Sequence, residues 1–174
     1  MGAGRPRRDV VLDSSVLVNF LRIGRTDLIG RRSPFRFHLP DVVEGEIAPK
    51  YPDQQAALAA AIRSRDILRR PIVDPAEIQL FQNLMQSGRL GAGESATLSV
   101  AALSSLPAAV EDRAAAKVAA SLSPPVSILK TQDVVVEAIR GGRLTVAEAD
   151  QLLLEWATHH RFRLRLTSFA DLFP

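Results

Sequence analysis

Residues 10–20 read VVLDSSVLVNF. The apolar run is short, suited to a strand buried in a parallel sheet, and it stops at Asp13. Residues 14–24, SSVLVNFLRIG, then continue as a helix closed by Gly24. A carboxylate at the end of an apolar strand is costly without a partner. Asp13 therefore either caps the next helix through a local turn or serves as a ligand for a cation.

The pattern recurs. Glu44 lies in HLPDVVEGEI, Glu94 in LGAGESATLSVA and Asp112 in LPAAVEDRAAAKVA, each where an apolar run gives way to a polar or helix-opening stretch. In a parallel α/β fold, strand ends and the helices after them converge on one rim. Carboxylates gathered there repel; two unit charges about 4 Å apart cost roughly 1 kcal/mol in water and several times that in a drier site. Shared protons or a cation relieve this, and oxygen donors select a hard cation, Mg²⁺ or Mn²⁺. The chemistry that follows is metal-assisted attack of water on a phosphodiester.

Outward from these stretches, strands alternate with helices. FRFHL is a second strand, and Pro40 and Asp41 open a helix with Asp41 as N-cap and Glu44 as its capping-box partner. Pro49 and Pro52 break that helix. Residues 53–67 read as an Ala-rich helix, RRPIVD as a short strand or extended link, and PAEIQLFQNLMQ as a helix with Pro at its start. GAGESATLSVAALSSL starts at a glycine turn and carries small residues on most faces, the mark of a tightly packed helix. PAAVED and PVSIL are further strands, each followed by a helix. Thr145 and Glu148 form a capping box for a helix striped by Ala149, Leu152, Leu153 and Trp156. In FRLRL, Arg161, Arg163 and Arg165 share one side of an edge strand or extended tail. The sum is one α/β domain over 1–174, a three-layer α/β/α sandwich around a mostly parallel sheet.

Composition narrows the function. The 174 residues contain no cysteine, which excludes disulfides and thiolate zinc sites and predicts a reducing, cytoplasmic setting. The three histidines, His38, His159 and His160, show no metal-binding spacing. Asp13 interrupts the first apolar stretch, against a signal peptide, and no run approaches the roughly 20 apolar residues of a membrane span. Net charge is +3, with arginines bunched at Arg5, Arg7 and Arg8, at Arg22 to Arg36, and at Arg161 to Arg165. Arginine forks suit phosphate, and basic flanks would draw an anionic substrate toward an acidic site.

Four motifs in this order carry a family resemblance. LDSSVLVNF, LPDVVEGEI, LGAGESATLSVA and VEDRAAAKVA resemble, along the whole chain, the PIN domain, the fold of small metal-dependent ribonucleases that include VapC-type toxins. The resemblance implies a Mg²⁺- or Mn²⁺-dependent endoribonuclease acting on RNA, set in a toxin–antitoxin pair and pairing as a homodimer. Asp13, Glu44, Glu94 and Asp112 would be catalytic, with Asp13, Glu94 and Asp112 on the metal. Glu111 competes with Asp112 for that place, and Ser15 would hold a metal-bound water or make a local backbone bond. Glu46 reads as solvated. One segment departs from the family, LKTQDVVVE, where Lys130 is a candidate phosphate contact and Asp133 either a supplementary acid or a helix-dipole partner. Arg161, Arg163 and Arg165 are the candidate nucleic-acid contacts. A binding-only PIN protein without turnover is the alternative. An aspartyl-phosphate phosphohydrolase would need a second Asp at position 15, which is Ser.

Overall fold

In the computed structural model, which describes residues 6–47 and 51–173, the strands form one five-stranded sheet, parallel throughout, in the order β3-β2-β1-β4-β5. β1 is Arg8–Leu12, β2 Phe35–Pro40, β3 Ile67–Arg70, β4 Ala108–Ala109 and β5 Ile128–Leu129. The helices are α1 (Ser14–Arg22), α2 (Asp41–Gly45), α3 (Pro52–Arg63), α4 (Pro75–Gln86), α5 (Ala92–Ser104), α6 (Arg113–Ser121), α7 (Thr131–Arg140) and α8 (Val146–His159). Single 3₁₀ turns cover Thr26–Ile29 and Phe169–Leu172. Arg5 and Pro49 lie outside the described residues.

The period of two along a strand sends neighbouring residues to opposite faces. Val10 and Leu12 of β1, with Phe35, Phe37 and Leu39 of β2, enter one core with α1, α3, α7 and α8. Val11 enters the other, with Ala108, Val110 and residues of α4, α5 and α6. Helices therefore cover both faces, as the continuous apolar runs require of a parallel sheet. Helix α5 is buried from Ser95 to Ala101, and Ala, Ser and Thr there let its backbone approach its neighbours. No described helix is long and apolar enough to cross a membrane.

The chain departs from β1 to one side, through β2 to β3, and returns across the sheet to β4 and then β5. The strand order thus switches between β1 and β4, the place where parallel sheets bind ligands beyond their carboxyl ends. Leu12 is level with Ala109, and Ala109 with Leu129. The ladder runs one step further, Asp13 N–H donating to the Ala109 carbonyl at 3.1 Å and Val110 N–H to that of Leu129 at 2.9 Å. Residues 13, 110–111 and 130 accordingly meet at one edge.

Local expectations fared unevenly. The capping box at Thr145 is present, Thr145 N–H donating to Glu148 at 2.7 Å. The helix over 75–86 starts at its proline and is capped by Asp74. Asp41 is not an N-cap: Pro40 holds that position, and Asp41 is the first helical residue of α2. The expected strand in RRPIVD sits earlier, at Ile67–Arg70, because Ile67 is the residue that the core accepts. FRLRL is an extended tail rather than an edge strand. Its alternation holds, with Arg161, Arg163 and Arg165 exposed while Phe162, Leu164 and Leu166 pack on the core.

Candidate active site at the carboxyl edge of the sheet

Asp13 is 1% exposed and caps α1. Its Oδ2 accepts hydrogen bonds from the Ser15 amide at 2.9 Å and the Ser15 hydroxyl at 2.5 Å. Its Oδ1 is buried with no partner among the described residues. A buried carboxylate oxygen without a donor is destabilising, so this atom is the outstanding feature of the edge. Burial pushes the Asp13 carboxyl above the ordinary aspartate range, against the pull of the Ser15 hydrogen bonds, and the charge of Glu46 pushes the same way.

Glu94 enters from the first turn of α5, where its carboxylate accepts from the Gly91 amide at 3.0 Å. Burial raises its carboxyl above the usual glutamate range; the Gly91 bond opposes this, and Asp112, Asp13 and Glu46 add to it by repulsion. Glu94 thus feels the charges of Asp112, Asp13 and Glu46, and Asp13 that of Glu46, across one edge.

Glu46 is the member that sequence reading missed. It is exposed, as expected, but it is also tied into this edge: its carboxylate accepts from the Ser14 hydroxyl at 2.8 Å and the Gly93 amide at 2.7 Å. A Cβ at position 93 would overlap that carboxylate, so the second glycine of GAGE makes room for Glu46. That glycine is the sequence signal that could have found it. Gly93→Ala is expected to displace the Glu46 side chain while leaving α5 formed, since Gly93 is already helical. A melting temperature within about 3 °C of wild type, by the general scale for domains of this size, with impaired cleavage would bear this out. Unchanged cleavage in a folded variant would remove Glu46 from the site.

Glu44 is not brought to this cluster. It makes a two-pronged ion pair with Arg69 of β3, at 2.7 and 2.6 Å. The acid of this segment that lies beside Asp13 and Glu94 is Glu46.

The pair after β4 divides its tasks. Asp112 caps α6, accepting from the Ala114 and Ala115 amides at 2.6 and 2.9 Å. Glu111 reaches the other way and accepts from the Thr131 amide at the start of α7, at 2.6 Å. Ser15 joins the two sides of the switch point: its hydroxyl donates to Asp13 and accepts from the Glu111 amide at 3.0 Å. Asp133 is exposed and accepts from the Lys130 amide at 2.7 Å, a capping role at α7.

All the donors at this edge are oxygens, the set that suits Mg²⁺ or Mn²⁺ rather than a soft metal. The orphaned Oδ1 of Asp13 and the mutual repulsion of its neighbours fit such an ion. Among the described residues no three acidic or histidine side chains already surround one point as a ready cage. Glu94 and Asp112 are instead held by backbone amides, and Glu46 by the Gly93 amide and the Ser14 hydroxyl.

A search of curated protein sequences finds no match. Among solved structures the chain is similar to VapBC2 from Rickettsia felis, solved bound to a DNA fragment from their promoter, at 12% identity and a TM-score of 0.48, covering 70% of this chain and 98% of that one. A family profile described as a PIN domain matches residues 9–171, nearly the whole sequence. The chain belongs to the PIN domain family.

Proposed function

We propose that this protein is a Mg²⁺- or Mn²⁺-dependent endoribonuclease whose site is the carboxylate cluster at the β1/β4 switch point. The observation that carries the reading is the buried, partnerless Oδ1 of Asp13 among Glu46, Glu94 and Asp112. PIN domains are generally nucleases that use divalent metals, and membership of that family supports the same class of chemistry.

The chain's own residues have definite tasks in this proposal. Asp13 would hold the ion, with Glu94 and Asp112 as further ligands and Glu46 beside them. When bound, the ion would supply a water of lowered pKa and stabilise charge on the phosphoryl oxygens. Ser15 fixes the Asp13 carboxylate through Oδ2, which leaves Oδ1 turned away from that bond. The same hydroxyl pins the Glu111 backbone, so the β4–α6 connection is located relative to Asp13. Arg161, Arg163 and Arg165, exposed on one side of the tail, would contact RNA phosphates. An antitoxin partner and pairing into a homodimer belong to this proposal through the family likeness.

The test is a set of charge-neutral variants assayed on a diverse pool of single-stranded RNA with Mn²⁺. Glu46→Gln and Glu94→Gln should each lower cleavage by about tenfold or more, the scale of losses seen when groups around a metal site are altered. Glu44→Gln should cleave normally and melt close to the wild type, since its partner Arg69 is solvent-exposed. Asp112→Asn should cost more activity than Glu111→Gln. A wild type that binds RNA yet cuts none of it with either ion would replace the enzyme by a binding protein. Equal losses from Glu44→Gln and Glu46→Gln would overturn the assignment of the site.

A further inference from the structure

At the opposite edge of the sheet, where β1 and β2 begin and α7 ends, a cavity of about 660 Å³ opens. Its wall contains Arg7, Arg31, Arg32, Arg140 and Arg143, and Glu137 is the one carboxylate there among the described residues. Both oxygens of Glu137 are taken, Oε2 by Arg8 at 2.8 Å and Oε1 by Arg140 at 3.0 Å. Arg7 donates to the carbonyls of Phe35 and Gly30, which are neutral acceptors. Arg31, itself exposed, pairs with the half-buried Asp66 at 3.4 Å.

Arg143 has less. Its Nη1 and Nη2 are buried and have no hydrogen-bond partner among the described residues. A guanidinium does not shed its proton in a protein, and it offers donors in a rigid fork. Asp27, one of the two acids whose charge reaches it, is already engaged by Arg25 at 2.8 and 2.9 Å. Glu137 is the other, and it is engaged as above. Burial lowers the affinity of Arg143 for its proton, and burial with the charge of Arg36 does the same to Arg7. A cavity lined in this way suits an anion with several acceptor oxygens. Phosphate matches the forks, and arginines spread around the wall match a chain of phosphates better than a single one.

We propose that this cavity is a second phosphate-binding site, which holds the backbone of a nucleic-acid strand at the sheet edge away from the carboxylates. The phosphate site stands on the cavity alone; its strand occupant rests on the nucleic-acid reading above.

The experiment uses the full chain, with inorganic phosphate and a short single-stranded RNA as probes and chloride at matched ionic strength as control. Phosphate should raise the melting temperature above chloride in the wild type. Arg143→Gln should abolish that difference while leaving the ligand-free protein folded, because no hydrogen bond to Nη1 or Nη2 is lost. Arg140→Gln/Arg143→Gln should weaken RNA binding about tenfold and reduce the magnitude of the log–log salt slope by about 1.4, at roughly 0.7 per phosphate contact for a single strand. Arg32→Gln, at an exposed position, keeps the test open if the Arg143 variants fail to fold. None of these measurements needs cleavage, so an inactive protein leaves the test standing. Phosphate no better than chloride, or an Arg143→Gln protein (Arg32→Gln, if that one does not fold) that keeps the phosphate effect, overturns the site. A phosphate effect without any change in RNA affinity or salt slope overturns the strand and leaves a small phosphate-bearing ligand.

Discussion

Asp13→Asn is expected to abolish cleavage while making the metal-free protein more stable. The loss of activity should be about 10²–10³-fold, the scale for removing a preorganised charge-stabilising group. The gain in stability has a separate cause. Asp13 is buried, one of its oxygens lacks a donor, and its folded-state pKa is raised chiefly by that burial. A raised carboxyl pKa means that the folded state holds its proton more tightly than the unfolded state. The contribution is therefore fully present below the unfolded aspartate value of about 3.9 and is lost as pH rises through the higher folded value. At neutral pH in EDTA the wild type carries this deficit and the Asn variant does not. Asn still leaves a buried polar group at that position but no buried charge, so the variant should melt a few degrees higher, at about 2–4 °C for each kcal/mol recovered in a chain of this size. Mn²⁺ should close the gap by stabilising the wild type alone, by mass action on the folded state. Calorimetry across pH, with and without Mn²⁺, reads all of this independently of activity. An Asn variant that melts below the wild type in EDTA, or that gains as much from Mn²⁺, would refute the reading of Asp13.

Trp156→Ala should be the most damaging single change to the fold. The indole is fully buried on α8 and stacks edge-on with Phe20 of α1 at 5.9 Å and Phe162 of the tail at 5.7 Å. Its Nε1–H donates to the Asn19 carbonyl at 2.8 Å. Removing a buried tryptophan costs about 3–5 kcal/mol, a fall of roughly 10 °C or more here. The effect should reach the site. The Asn19 side chain donates to the Thr131 hydroxyl at 2.9 Å, and the Thr131 amide holds Glu111. Trp156→Phe keeps part of the packing and loses the hydrogen bond, so it should fall between. Urea unfolding of the two variants checks the order, and a loss under 1 kcal/mol for Trp156→Ala would show that α8 and the tail are held by something else.

Much of the architecture was legible because its signals are local. The short apolar runs, the prolines and glycines between them and the helical periodicity point to alternating strands and helices, and the structure has them. The capping box at Thr145 and the two-sided tail were legible for the same reason. So was the pattern that ends an apolar run in an acid, which located Asp13, Glu94 and Asp112 at one edge.

What the sequence could not decide is which way a side chain turns once several elements meet. Glu44 and Glu46 lie two residues apart at the end of a five-residue helix, about 200° around its axis. Local rules favour neither. Arg69, on the neighbouring strand, takes Glu44, while Ser14 and Gly93, from two other elements, take Glu46. Glu111 and Asp112 were ambiguous in the same way until the amides of α6 and α7 each claimed one. The arginine cavity was beyond sequence reading altogether. Its members stand at positions 7, 31, 32, 140 and 143, and only the fold, by starting β1 and β2 where α7 ends, brings their charges together. Local sequence determined the elements and their order; long-range packing alone decided which charges face one another, because electrostatic partners are set by distance in space and not by distance along the chain.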